Sequence, residues 1–152
     1  MDSSTTSPIR LEEFWAYQVV VLADQISRHT LEVVRSEANL NQSQWRVLAA
    51  VADRPGRSSA EVTAVTPMDK TIVSRAVASL IKSGLIKRTP SPQDKRMAAL
   101  EMTALGAKRY ALIAKKLSAT LTLPVIDGHS TKDFNAAVKD FSRYMAELPS
   151  RA

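Results

Sequence analysis

The stretch Thr66-Pro-Met-Asp-Lys-Thr-Ile-Val-Ser-Arg75 decides the fold predicted for this chain. It follows a short predicted helix at 59–65 and contains the start of a longer one that runs until Gly84. Asp69, or Thr66, is placed to cap the second helix, and Gly84 suits the left-handed conformation that commonly ends helices. Two helices joined by about three residues have the spacing of a helix-turn-helix motif.

The segments before this motif are also predicted to be helical. Ser58-Ser-Ala-Glu61 has the pattern of a capping box, which begins the short helix. A helix over about 44–52 precedes it and ends at Pro55-Gly56. A long helix with one apolar face is predicted over 8–36, with Ser7 as its cap and Pro8 in its first turn. Because that face is long and one-sided, we expect a partner subunit to cover part of it.

The segments after the motif predict a β-wing and two more helices. Residues 85–89 and 98–102 read as short strands around a turn-rich tip at 90–96. A helix is predicted from Thr103 to about Leu123, with a stop at Pro124 to Gly128. The last amphipathic helix is predicted over about 131–148.

The net positive charge of the chain comes entirely from residues 67–109. Residues 67–109 hold nine Lys/Arg and three acids, whereas the other residues hold twelve of each sign. A basic excess in one short module is typical of a surface that binds phosphate. The outer face of the helix at 70–83 offers a guanidinium, hydroxyls and a small residue, which suit a major-groove reader. An ordinary solvated helix face is the alternative, and the basic wing favours DNA.

The composition excludes several classes of protein. A chain of 152 residues that is 45% hydrophobic and 24% charged fits one globular domain. No apolar run reaches the roughly 20 residues of a membrane span and no secretory signal is recognisable, so a cytoplasmic protein is expected. The chain has no cysteine and two histidines, so neither a metal site nor a cofactor is predicted. No Gly-x-Ser-x-Gly, Gly-rich phosphate loop or His-Glu-x-x-His motif occurs, and we predict no enzyme activity.

Six motifs in this order and spacing resemble the MarR family of winged helix-turn-helix transcription regulators over about 36–110. They are Leu40-Asn-Gln-Ser-Gln-Trp-Arg-Val-Leu48, Ser59-Ala-Glu-Val62, Met68-Asp-Lys-Thr-Ile-Val-Ser-Arg-Ala-Val77, Leu80-Ile-Lys-Ser-Gly-Leu-Ile86, Asp94-Lys-Arg96 and Leu100-Glu-Met-Thr-Ala-Leu-Gly106.

The resemblance implies a mainly α fold with a β-wing, in one domain over 1–152. The winged helix-turn-helix would occupy 40–103, flanked by dimerisation helices at 8–36 and 104–148. It further implies an obligate homodimer that places two recognition helices in adjacent major-groove segments, with Asp94 orienting Arg96 at the wing tip. The residues predicted to bind DNA are Ser58, Ser59, Lys70, Thr71, Ser74, Arg75, Lys82, Arg88, Asp94, Lys95 and Arg96.

Regulators of this family usually release DNA when a small molecule enters a cleft beside the dimerisation helices. The residues predicted to line that cleft are Gln25, His29, Trp45, Arg46 and Tyr110. An arginine with aromatic neighbours suits an aromatic carboxylate or its thioester. The alternatives are that Trp45 belongs to the core, that Arg46 forms a surface or inter-subunit salt bridge, and that His29 is solvated.

The sequence therefore predicts a homodimeric repressor that binds a pseudo-palindromic operator in double-stranded DNA. A small aromatic acid or its CoA thioester would release it. Two alternatives stay open, namely a transcriptional activator and a winged-helix module that acts by protein contact with an acidic partner.

Overall fold

A computed structural model describes residues 8–94, 96–122, 128 and 130–149 of the chain. These residues form a mainly α structure with one small antiparallel sheet, as the sequence predicts. In chain order the elements are α1 (Trp15–Ala38), α2 (Gln42–Asp53), α3 (Ser59–Val65), α4 (Lys70–Lys82), β1 (Ile86–Pro90), β2 (Ala98–Met102), α5 (Ala104–Leu121) and α6 (Thr131–Glu147).

The first helix begins later than the sequence predicts. Instead of starting at Pro8, α1 starts at Trp15, after a turn at 11–13. Phe14 is extended at this boundary, and the Gln18 side-chain amide donates to the Leu11 carbonyl at 2.9 Å. That bond holds Leu11 in the turn, so the predicted proline start is wrong. The predicted cap, Ser7, lies outside the described residues.

Helices α2, α3 and α4 pack into the helix-turn-helix around a core that is almost completely buried. Each helix has a polar cap at its start. The Ser58–Glu61 capping box and the Asp69 cap are both confirmed, and Asn41 with Gln44 forms a further box at α2. The main buried side chains are Val47, Leu48, Val51, Val62, Val73, Val77 and Leu80.

The wing is a two-stranded hairpin that is anchored to the helical core. β1 pairs antiparallel with β2, with Arg88 opposite Leu100, and each strand lies within one residue of its predicted position. The other edge of β2 pairs with the segment between α2 and α3. There the Gly56 amide donates to the Leu100 carbonyl, and the Leu100 amide donates to the Arg57 carbonyl, both at 2.9 Å. These bonds fix the base of the wing beside α2.

The chain divides into two compact units, 1–113 and 114–152. The first contains α1, the helix-turn-helix, the wing and the first half of α5. The second contains the end of α5 and the whole of α6. Every residue of α6 is exposed. The interpretation of 1–152 as one domain stays a prediction. The predicted stop of α5 at Pro124 falls outside the described residues.

Candidate DNA-binding surface

The recognition helix α4 buries one face and exposes the other. Val73, Ala76, Val77 and Leu80 are buried, because α4 packs against both α2 and α3. The exposed face is polar and basic, as the sequence predicts. Its side chains are Lys70, Thr71, Ser74, Arg75, Ala78 and Lys82.

One large apolar residue of α4 does not point into the core. Ile72 is 40% exposed and borders an open cavity of about 280 Å³ between the start of α2 and α4. On the wall of this cavity the Gln44 amide donates to the Ser79 hydroxyl at 2.6 Å. Sequence reasoning missed this cavity, because the residues bonded on its wall, Gln44 and Ser79, are 35 positions apart along the chain. The cavity is lined by Asn41, Ser43, Gln44, Ile72, Arg75, Ala76 and Ser79.

The start of α4 carries a negative charge of its own. The Asp69 carboxylate accepts from the Ile72 amide at 2.8 Å. One of the first-turn amides that could otherwise bind a phosphate is therefore already bonded. Lys70 follows directly and is exposed. Any phosphate contact at this end would therefore depend on the lysine side chain and the amides that Asp69 leaves open.

The tip of the wing is organised by short polar side chains. The Ser91 hydroxyl accepts from the amides of Gln93 and Asp94 at 3.3 and 3.4 Å. Asp94 in turn accepts from the main-chain amide of Arg96 at 2.9 Å. Asp94 thus contacts the backbone of Arg96, and the orienting role implied for it stays a prediction. Arg88 and Arg96 are exposed, and Lys95 lies outside the described residues.

One wing cation has a partner that the sequence reasoning overlooked. Lys87 lies opposite Glu101 in the strand register, and its ammonium is 3.7 Å from the Glu101 carboxylate. The wing therefore carries a second acid beside Asp94, and Glu101 offsets part of its basic charge. The pairing of Lys87 with Glu101 could not be predicted without the strand register, because the register determines which side chains are neighbours.

Ser58 does not belong to the exposed surface. Its side chain is 8% exposed, and its hydroxyl accepts from the Glu61 amide at 3.2 Å. The Ser58 hydroxyl therefore serves as a helix cap, and DNA binding by Ser58 stays a prediction. Ser59 is half-buried, and its carbonyl accepts from the Thr63 hydroxyl at 2.9 Å.

Two of the five residues predicted to line an effector cleft are in contact. The rings of Trp45 and Tyr110 stack with their centroids 5.7 Å apart and their planes at 19°, which joins α2 to α5. Arg46 and His29 are half-buried, and Gln25 is exposed on α1. The cavity beside α4 is lined by other residues, so the predicted cleft stays a prediction.

Comparison with known proteins places the winged helix in a family. The model of the MarR family matches residues 38–97, which run from the end of α1 to the wing. Over these residues the winged helix matches the MarR family. Transcriptional regulator HosA of Escherichia coli O111:H- is 28% identical over 90 residues, which are 59% of this chain and 67% of HosA. The family and the relatives to which the chain is similar are transcription regulators and not enzymes.

Solved structures of MarR family proteins share the fold. The repressor CouR bound to a 23-mer DNA duplex has a TM-score of 0.69 at 22% identity, covering 93% of this chain and 100% of CouR. A mutant of MarR from E. coli complexed with operator DNA has a TM-score of 0.68 at 19% identity, covering 94% and 100%. Within the described residues, the protein has no helix that is long and apolar enough to cross a membrane.

Proposed function

We propose that this protein is a homodimeric repressor of the MarR family that binds a pseudo-palindromic operator and is released by a small aromatic acid or its CoA thioester. The observation that carries the proposal is the exposed polar face of α4, which stands beside a basic wing. CouR and MarR, which share the fold, are bound to DNA in their solved structures.

The two parts of this surface have different roles in the proposal. Arg75 can donate two hydrogen bonds to one guanine in the major groove, and Thr71 and Ser74 can bond to bases or phosphate. Arg88 and Arg96 are exposed on the wing, where they contact the backbone or the minor groove. Base contacts supply specificity, and phosphate contacts supply affinity that depends on salt.

Exposed apolar side chains on the flanking helices support the homodimer. Those of α1 and α6 recur at helical spacing, so they form stripes of the kind that subunits bury. In a two-fold dimer the operator half-sites would lie about 10 bp apart. The exposed side chains are Trp15, Val19, Leu22, Ile26, Leu105, Leu112, Leu121, Phe134, Val138, Phe141, Met145 and Leu148.

The effector proposal is supported by the chemistry around the stacked rings. Arg46 follows Trp45 on α2 and is half-buried, so it can pair with a carboxylate beside an aromatic surface. The residues of α5 include four Lys/Arg and no acid, which favours an anionic ligand or thioester phosphates. A thermal-shift screen of aromatic acids and CoA thioesters tests this part, because a bound ligand stabilises the native state.

The DNA-binding part is tested by Arg75→Ala on an operator selected from random duplexes. Loss of a guanine contact should weaken operator binding by about 1–3 kcal/mol and relax the base preference at one position of each half-site. Arg88→Ala should weaken all sequences to a similar extent, because a backbone contact does not read bases. Arg28→Ala is the matched control, since Arg28 pairs with Asp24 on α1.

Light scattering should show that each variant is still a dimer. Unchanged operator affinity and unchanged base preference in Arg75→Ala would contradict the proposed recognition mode. That result would favour a winged-helix module that contacts an acidic protein.

A further inference from the structure

The recognition helix and α5 are tied together where one ends and the other begins. α4 ends in a turn in which the Gly84 amide donates to the Ile81 carbonyl and the Leu85 amide to the Leu80 carbonyl. Thr103, the residue before α5, forms hydrogen bonds with this turn. Its amide donates to the Leu85 carbonyl at 3.0 Å, and its hydroxyl donates to the Gly84 carbonyl at 2.5 Å.

The Thr103 hydroxyl also serves α5 itself. It accepts from the Gly106 amide at 3.0 Å, which satisfies an amide of the first turn of α5. One side chain therefore bonds both to the turn that ends the recognition helix and to the first turn of α5.

Gly106 allows the first turn of α5 to lie directly on this α4 turn. A Cβ atom at this position would be 1.9 Å from the Leu85 carbonyl oxygen and 2.9 Å from its carbon. Both atoms are backbone, so no side chain can rotate away. Any larger residue must move the start of α5 or the turn at Gly84 and Leu85.

The next turn of α5 is held by two more contacts. The Arg109 guanidinium donates to the Glu37 carbonyl at 3.0 Å, near the end of α1. Tyr110 stacks on Trp45 of α2. The first half of α5 is thus fixed to α4, α1 and α2 within one compact unit.

We infer that Thr103 and Gly106 are positioning residues for operator binding, because they fix the direction in which α5 leaves the recognition helix. The inference rests on the proposed homodimer. If the flanking helices join two subunits, this direction sets the separation of the two recognition helices. The two residues would then select the spacing of operator half-sites without touching DNA.

This role predicts an effect that a loss of stability does not produce. Binding to one half-site needs only one intact winged helix. Binding to two half-sites gains from bivalency only when both recognition helices reach their grooves together. A shift of α5 should therefore weaken the full operator and leave the half-site unaffected.

The experiment measures the affinity of Gly106→Ala, Thr103→Val and Thr103→Ser for four duplexes. These are the selected operator, the same operator with one base pair added or removed between the half-sites, and a single half-site. Gly106→Ala should bind the half-site like wild type and lose about 100-fold on the operator, the scale of a lost bivalent gain. Its preferred spacing should change. Thr103→Val should show a smaller loss of operator affinity and a smaller change of preferred spacing. Thr103→Ser should retain the wild-type spacing preference because it keeps the hydroxyl.

Val47→Ala is the matched control, since Val47 is fully buried in the core and makes none of these junction contacts. It should lower the melting temperature without changing the preferred spacing. Equal spacing preference in wild type, Gly106→Ala and Thr103→Val would overturn the inference. If wild type itself binds the operator no better than one half-site, the proposed dimeric function fails instead.

Discussion

Glu61 is held by two neighbours in the first turn of α3. The Ser58 amide donates to one carboxylate oxygen at 2.8 Å, and the Arg54 guanidinium pairs with the other. The hydrogen bond from the Ser58 backbone, assisted by the Arg54 charge, lowers the pKa of Glu61 below its ordinary value of 4.5. The folded state therefore prefers the ionised carboxylate.

This preference predicts a pH-dependent effect of Glu61→Ala on stability. With a folded pKa below the unfolded one, the carboxylate stabilises the protein above about pH 4.5, and the contribution is lost as the pH falls through the folded pKa. The melting temperature of Glu61→Ala should be below that of wild type at neutral pH, and the difference should shrink in acid. Glu12→Ala, in the turn before α1, is the control. A difference that does not change with pH would show that the ionised carboxylate makes no such contribution.

Residue roles were predictable where the partners are close in sequence. Ser58 and Glu61 lie three positions apart, so the capping pattern alone revealed their bond. The pairing of Lys87 with Glu101 depends on the strand register, and the contact of Gly106 with Leu85 depends on how α5 crosses the turn. Neither leaves a local signature in the sequence.

At the level of elements, the start of the recognition helix combines a cap with a charge that DNA would repel. Asp69 caps α4 through the Ile72 amide, yet it lies next to Lys70 and Thr71 on the face proposed to meet DNA. Capping of α4 favours an aspartate at position 69, whereas the negative charge of DNA would favour a neutral residue there.

Two substitutions at Asp69 separate these effects. Asp69→Ala removes the cap and should lower the free energy of unfolding by about 1 kcal/mol. Asp69→Asn keeps a side-chain acceptor, so it should be the more stable variant of the two. It should also bind DNA more tightly than wild type at low salt, since one repulsive charge is gone. Urea unfolding and a fluorescence-anisotropy titration give the two quantities. Equal destabilisation by both substitutions would contradict the capping role.

Element boundaries followed from the sequence where a cap and a stop flank the helix. Asp69 and Gly84 bound α4 in this way, and the structure confirms both. At α1 the sequence predicted a helix start at Pro8 that the structure does not have. The chain instead forms a turn around Leu11, which the Gln18 side chain stabilises, and the helix begins after that turn. Local propensity cannot show such competition from a bond between residues seven positions apart.

At the scale of the whole molecule, the basic excess and the apolar stripes lie on different elements. The basic excess lies within 67–109, which contains α4 and the wing, whereas exposed apolar stripes lie on α1 and α6. This division supports one surface for DNA and another for a second subunit. The sequence predicted the basic excess through composition and the apolar faces through periodicity. It could not reveal the cavity beside Ile72, since that space exists only where α2 meets α4.

The central claim is that this regulator binds duplex DNA through phosphate contacts made by α4 and the wing of both subunits. A titration of the selected operator over a series of salt concentrations tests it most directly. If the dimer contacts about 6–10 phosphates, the logarithm of the affinity should fall with the logarithm of the salt concentration with a slope of about −5 to −9. A slope near zero would contradict the claim.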